Sequence, residues 1–151
     1  MKAILQRVSF AEVKVDGNTV GKIDSGFLIL LGIAEGDPQK EADALSAKIS
    51  TLRVFTDEND KMNLSLADID GEVLVISNFT LYADCSHGRR PSFIKAARPE
   101  TAEPLYEYFC KRMSDNGVRR VEKGIFGADM KVSLLNDGPV TIDIDTRDLK
   151  Y

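Results

Sequence analysis

The feature that most restricts the fold is the run Phe27-Leu28-Ile29-Leu30-Leu31-Gly32-Ile33. It is continuously apolar, too short for a core helix and bounded by Ser25-Gly26 and by Ala34-Glu35-Gly36. Such a run suits a strand covered on both faces. A second run, Val73-Leu74-Val75-Ile76, leads into Ser77-Asn78-Phe79-Thr80 and predicts another strand over Glu72–Tyr82. Two fully buried strands need layers on both sides, and the rest of the chain has to supply them.

Upstream, residues 2–15 are β-branched and roughly alternating, which predicts a strand. Asp16-Gly17-Asn18 reads as a turn and Thr19–Ile23 as the return strand of a hairpin. Asp37-Pro38 predicts a helix start, with Asp37 as the N-cap and Pro38 at the first helical position. Ala42, Leu45, Ile49 and Leu52 then recur at steps of three and four, forming one apolar stripe. Thr56–Asn63 reads as a polar loop. A second helix is expected from the Pro99–Pro104 region to Asn116-Gly117, with Leu105, Phe109 and Met113 facing inward. Three further strands are expected over Arg119–Ile125, Ala128–Leu135 and Val140–Asp145, with Asn136–Thr141 as the hairpin turn between the last two. The class is α+β: a mostly antiparallel sheet or barrel with two main helices packed on it, in a single domain spanning residues 1–151.

Composition then narrows the chemistry. The chain has one His and two Cys. A zinc site needing several imidazoles or four thiolates is excluded, and no metal or other cofactor is expected. Cys85 and Cys110 read as reduced thiols, as in cytosolic proteins. The N-terminus turns polar at Gln6-Arg7, too early for a signal peptide, and no run approaches the ~20 apolar residues of a membrane span, so a cytoplasmic location is expected. A formal charge of −4 argues against binding nucleic acid along a long track. It leaves room for a strand end docked on a local basic zone. Arg89, Arg90, Lys95 and Arg98, with Lys111, Arg112, Arg119, Arg120 and Lys123 further on, supply such a zone.

Two segments carry candidate chemistry. Ser77-Asn78-Phe79-Thr80 sits where a buried strand ends, so hydroxyls, an amide and backbone N–H groups can point at a ligand. Asn136-Asp137-Gly138-Pro139-Val140-Thr141 contains an X-Pro bond, which the fold would have to hold if it were cis. His87 and Cys85 lie together in a polar loop, a poor place for a base that must be held to a fraction of an ångström. No glycine-rich loop ending in Lys-Ser/Thr occurs, which excludes P-loop nucleotide hydrolysis.

Six segments occur together and in order: Gln6-Arg7-Val8, Lys61–Ser65, Ser77–Asp84, Gly88–Phe93, Phe126–Met130 and Asn136–Thr141. In this, nearly the whole chain resembles the bacterial and eukaryotic D-aminoacyl-tRNA deacylases. The resemblance implies a cytoplasmic homodimer that hydrolyses the ester between a D-amino acid and the 3′-terminal adenosine of tRNA. It also implies removal of glycine mischarged on alanine tRNA. Family signatures are Ser-Gln-x-Thr and Asn-x-Gly-Pro-x-Thr. The second is intact here; in the first, Asn78 stands where Gln is usual. By this resemblance Ser77, Phe79 and Thr80 form the catalytic segment. Gly138 and Pro139, joined by a cis bond and held by Arg7, bar L-amino acids from the partner subunit's pocket, and Asn78 contributes to binding. Thr80 is open to two readings, as the nucleophile or as a positioning residue; the second is expected, with the terminal ribose 2′-OH helping to activate water and backbone N–H groups near Phe79 and Thr80 holding the oxyanion. The expected partners are the tRNA 3′ end and a second copy of the chain, with no DNA and no membrane. The competing expectations are a non-catalytic binder of the tRNA 3′ end and a binder of a small metabolite at a dimer interface.

Overall fold

The computed structural model describes residues 1–151. Its centre is β1 (Lys2–Val15), β2 (Asn18–Ile23), β3 (Gly26–Gly32), β6 (Glu72–Ser77), β7 (Arg120–Lys123) and β8 (Lys131–Asp145), joined in one six-stranded sheet. A separate two-stranded hairpin is formed by β4 (Phe55–Thr56) and β5 (Met62–Leu64). Helices α1 (Gln39–Thr51) and α2 (Pro99–Asp115) cover one face of the sheet. Short 3₁₀ turns follow β6 at Phe79–Tyr82 and β8 at Thr146–Asp148.

β1 organises the sheet. One of its edges pairs along the length of β8. The other pairs with β3 over Lys2–Val8 and then with β2 over Ala11–Val15. All three pairings are antiparallel, whereas β3–β6 and β6–β7 are parallel. The strand changes face midway: Ala3, Leu5 and Arg7 are buried, and the phase then slips so that Val8, Ala11 and Val13 are buried instead. The slip coincides with register shifts against β8 on either side of Val8. A bulge bends a strand, and here it lets the sheet curl toward a barrel.

The curl creates two cores. Leu5, Phe27, Ile29, Val73 and Val75 pack under Leu45 and Ile49 of α1 and Tyr106, Phe109 and Met113 of α2. Leu28, Leu74 and Ile76 point the other way, into the half-barrel with Val8, Val13 and Ile23. This accounts for the two apolar runs: both faces of β3 and β6 are interior.

Gly26 marks the tightest approach between these strands. Its φ is +154°, and an added Cβ would lie 1.7 Å from the Glu72 carbonyl oxygen. Backbone cannot yield to that clash as a flexible side chain would. Gly26→Ala is expected to lose at least about 4 kcal/mol, the range of the most severe single substitutions. A urea midpoint within error of the parent's would contradict this placement of β3 against β6.

Several local expectations are corrected. Asp37 does not cap α1. The helix begins at Gln39, and Asp37 Oδ2 instead accepts from the Ala34 N–H at 2.7 Å and faces the Met1 ammonium at 2.9 Å. The stretch Thr56–Asn63, read as a loop, contains parts of the β4–β5 hairpin. The strand expected over Glu72–Tyr82 ends at Ser77, because Asn78 turns the chain into a 3₁₀ helix. Arg119–Ile125 contracts to Arg120–Lys123. The two strands expected over Ala128–Leu135 and Val140–Asp145 are one strand, Lys131–Asp145, so Asn136–Thr141 is not a hairpin turn.

Candidate active site

Where β6 ends, the backbone leaves the ladder. The Asn78 N–H donates to the Leu31 carbonyl at 2.8 Å, the last tie to β3. The Asn78 side chain then folds back, its Oδ1 accepting from the Thr80 N–H at 3.1 Å and from the Thr80 hydroxyl at 2.5 Å. This side chain stabilises the start of the 3₁₀ turn, as an Asx turn does. It also occupies the Thr80 amide and draws the hydroxyl toward itself. Phe79 is left 56% exposed, edge-on to Phe93 with ring centroids 5.1 Å apart.

These residues wall a cleft of about 800 Å³. Its floor is Leu30, Ile33 and Ile76, and Ser77, Asn78, Phe79 and Thr80 form one side. The start of α2 and the segment Phe126–Met130 form the others. The cleft thus joins four stretches distant in sequence. Its only ionisable lining groups are Arg98 and Asp129, and Asp129 is exposed and paired with Lys131 at 3.1 Å. Tyr82, at the end of the same 3₁₀ turn, lines a different hollow with Lys2 and Arg147, and burial pushes its phenol above its ordinary range, aided by the negative charges of Asp37 and Asp145. The cleft lining carries no His, Lys, Cys or Tyr, and its one carboxylate is engaged by Lys131.

The second predicted segment lies elsewhere. Val8 pairs with Asn136 and Gln6 with Thr141, so Asp137–Val140 bulge out opposite Arg7. Asp137, Gly138 and Pro139 are exposed, and the Gly138-Pro139 bond is cis. Adjacent residues of β1 hold the bulge. Arg7, only 8% exposed, donates from Nε to the Asp137 carbonyl at 2.8 Å and from Nη1 to the Val54 carbonyl at 2.7 Å and to Thr56 Oγ1 at 3.3 Å. Gln6 Oε1 accepts from Asn136 Nδ2 and, at 2.8 Å, from Thr141 Oγ1. Asn136 Oδ1 closes the bulge by accepting from the Val140 N–H at 2.8 Å. The first and last residues of Asn-x-Gly-Pro-x-Thr are therefore clamps on the middle pair.

Within one chain the two segments do not meet. Measured over the sheet surface, three strand spacings and about four residues of strand lie between them, a diagonal of roughly 20 Å. Neither Gly138 nor Pro139 lines the cleft. Sequence reasoning missed Gln6, Val54, Thr56, Asn136 and Thr141 as supports, and Phe93, Phe126 and Met130 as cleft walls. The resemblance segments contained most of them, but nothing in their spacing announced the contacts.

The loop residues set aside on sequence do not line the cleft. His87 Nδ1 lies 2.8 Å from Ser86 Oγ, which donates to Asp84 at 2.6 Å. The Ser86 hydroxyl and N–H, with Lys95, hold the Asp84 carboxyl well below the usual carboxylate range. Cys85 is exposed, whereas burial pushes the Cys110 thiol up to about 12. Cys85→Ala and His87→Ala should each slow the reaction proposed below less than about tenfold, or ~1.4 kcal/mol of barrier. In the native protein a thiol reagent should label Cys85 and spare Cys110 until unfolding. A hundredfold loss in either variant would place the loop in the chemistry.

Of the basic zone, the later part is committed to ion pairs. Lys111 and Arg112 hold Asp115, Arg119 holds Glu72, Arg120 holds Glu122 and Lys123 holds Glu107. No helix is long and apolar enough to cross a membrane.

Residues 4–145 match the family model described as D-Tyr-tRNA(Tyr) deacylase. The chain is 59% identical over 146 residues to a D-aminoacyl-tRNA deacylase of Geotalea uraniireducens, covering 97% of this chain and 94% of that one. It is 56% identical to the D-aminoacyl-tRNA deacylase of Clostridioides difficile, with 97% of each covered. Among solved structures, a c-Myc DNA unwinding element binding protein superposes with a TM-score of 0.90 at 40% identity, over 96% of this chain and 98% of that one. A probable eukaryotic D-amino acid tRNA deacylase superposes at 0.76 with 17% identity, a likeness of fold, over 95% and 98%. On the match over residues 4–145 and on identities above 50% along nearly its full length, the chain belongs to the D-aminoacyl-tRNA deacylase family.

Proposed function

We propose that the protein hydrolyses the ester of D-aminoacyl-tRNA, and of glycyl-tRNA mischarged on alanine tRNA, in the cytoplasm as a C₂ homodimer. The observation that carries this reading is the division of the site. The cleft at Ser77–Thr80 carries no His, Lys, Cys or Tyr, and its one carboxylate, Asp129, is exposed and ion-paired. An exposed Gly138-Pro139 unit, held by Arg7 and Asn136, does not line the cleft of its own chain. An isologous dimer lets each unit enter the other chain's cleft.

In this reading the terminal nucleoside lies in the cleft against Phe79 and Phe93, and Ser77 and Thr80 orient the ester. Water attacks the carbonyl carbon, helped by the ribose 2′-OH. The backbone N–H of Phe79 stabilises the oxyanion, joined by that of Thr80 once the substrate displaces Asn78 Oδ1. The ester C–O bond then breaks, and the ribose 3′-oxygen leaves with a proton. Carbonyl oxygens of the Gly138-Pro139 unit meet any substituent on the L side of Cα, so rejection works by clash and not by weaker attraction. Glycine has no such substituent and is accepted.

The test is decay of D-Tyr-tRNA, L-Tyr-tRNA and Gly-tRNA with purified protein. The D- and glycyl esters should decay and the L-ester persist. The fold-back of Asn78 onto Thr80 favours one other reading, a non-catalytic binder of the tRNA 3′ end. That reading predicts tRNA retention with no decay of any ester.

A further inference from the structure

Every arginine outside the segment 89–98 is engaged. Arg7 holds the Asp137 and Val54 carbonyls, Arg53 the Asn63 carbonyl, and Arg112, Arg119, Arg120 and Arg147 hold carboxylates. Arg89, Arg90 and Arg98 have no hydrogen-bond or carboxylate partner, and all three are exposed.

These three are grouped by the fold. The loop carrying Arg89 and Arg90 is closed at its base by two backbone bonds, Asp84 N–H to the Ser92 carbonyl at 2.8 Å and the reverse at 2.9 Å. Immediately before that base is the 3₁₀ turn bearing Thr80; immediately after it is Phe93. Both line the cleft. The chain then runs along β3's exit, with Glu35 N–H donating to the Lys95 carbonyl at 3.1 Å and Ala97 N–H to the Ile33 carbonyl at 2.9 Å. Arg98 follows, on the cleft lining and at the N-terminus of the 17-residue α2. The positive end of that helix adds to the guanidinium. Opposing charges are few. Asp84 is paired with Lys95 and Asp129 with Lys131, leaving Glu100 in the first turn of α2 and the exposed Glu35 beside Lys95.

Elsewhere the chain is net acidic and repels a polyanion. We infer that Arg89, Arg90 and Arg98 form the phosphate track of the site. On it, backbone phosphates 5′ of the terminal nucleoside dock as a single strand, bringing the 3′ end into the cleft. The inference rests on the reading that the cleft takes the aminoacylated nucleoside, and adds where the rest of the nucleic acid lies. Arginine suits the task because its fork matches a phosphate's oxygens.

The experiment compares the parent with the double variant Arg89→Gln, Arg90→Gln on two substrates, D-aminoacyl-tRNA and 3′-O-(D-aminoacyl)adenosine. The second has the nucleoside and ester but no phosphates. Each single-strand phosphate contact contributes about 0.7 to the salt exponent, so losing two lowers kcat/KM on the tRNA roughly 25-fold at 0.1 M salt relative to 1 M. The exponent itself should fall by about 1.4. Hydrolysis of the aminoacyl-adenosine should stay at the parent rate. Equal loss on both substrates, or no loss on tRNA, overturns the track. Binding of uncharged tRNA, read by fluorescence anisotropy, decides the matter separately from hydrolysis. Weaker, less salt-dependent binding by the variant supports the track even if the parent cleaves neither ester. Equal binding with the same salt exponent overturns it.

Discussion

Arg7→Ala is expected to abolish discrimination between D- and L-esters and to slow hydrolysis of the D-ester by at least about a hundredfold, ~2.7 kcal/mol of barrier. The guanidinium is nearly buried and ties three elements together: β1 itself, the Asp137 carbonyl of the β8 bulge, and Val54 with Thr56 beside the β4–β5 hairpin. Truncation removes bonds from a charged donor and leaves two carbonyls without their partner, so stability should also fall by about 3 kcal/mol. Arg7→Lys separates the two effects. It keeps the charge, but an ammonium on a flexible stem cannot reproduce the fork that spans Asp137 and Val54. It should fold close to the parent and still lose most of the D-to-L ratio. A folded Arg7→Lys protein with the parent's ratio, measured as relative decay of D- and L-Tyr-tRNA, would sink the idea that this clamp sets chirality.

The second large effect concerns the substrate. The cleft's ionisable lining is confined to Arg98 and the ion-paired Asp129. In the proposed mechanism proton transfer is therefore helped by the substrate itself. A tRNA ending in 2′-deoxyadenosine should be hydrolysed about 10²–10⁴-fold more slowly, the usual worth of general acid–base help. Thr80→Ala should cost less than about tenfold, because a hydroxyl without a base is a weak nucleophile. Full activity on the deoxy substrate would rule out 2′-OH assistance. An inactive Thr80→Ala protein, with an acyl group trapped on the parent, would make Thr80 the nucleophile.

The elements legible in the sequence were those whose burial is written in local periodicity. β3 and β6 follow from unbroken apolar runs, and the inner face of α2 from Leu105, Phe109 and Met113. What local pattern could not convey was how turn chemistry would be used. Asn-Asp-Gly-Pro normally ends a strand. Here Arg7 and Gln6 hold it as a bulge within one continuous strand, and both lie about 130 residues away in the chain. Asp37 has the residue type of an N-cap, but a nearby N–H and the Met1 ammonium draw its carboxylate away. The Thr56–Asn63 stretch is polar, and its pairing depends on a two-residue strand that no period reveals. The site divides the same way. Ser77–Thr80 is visible as the polar end of a buried strand, whereas the walls at Phe93 and Phe126 arrive from loops. Arg7 alternates like any strand residue, so only the family resemblance singled it out.

In the proposed dimer each working site takes its cleft from one chain and its Gly138-Pro139 unit from the other, and complementation between two variants distinguishes this from a site held within one chain. One variant, Arg7→Ala, spoils the unit and leaves the cleft. The other, Ala128→Trp, fills the cleft with a bulky side chain and leaves the unit. Each homodimer should be inactive on D-Tyr-tRNA. Co-expressed and purified through two different tags, the heterodimer pairs one intact cleft with one intact unit and should regain about half of the parent's rate per dimer. A heterodimer as inactive as either homodimer, with both chains folded, would show that the site is not shared between subunits.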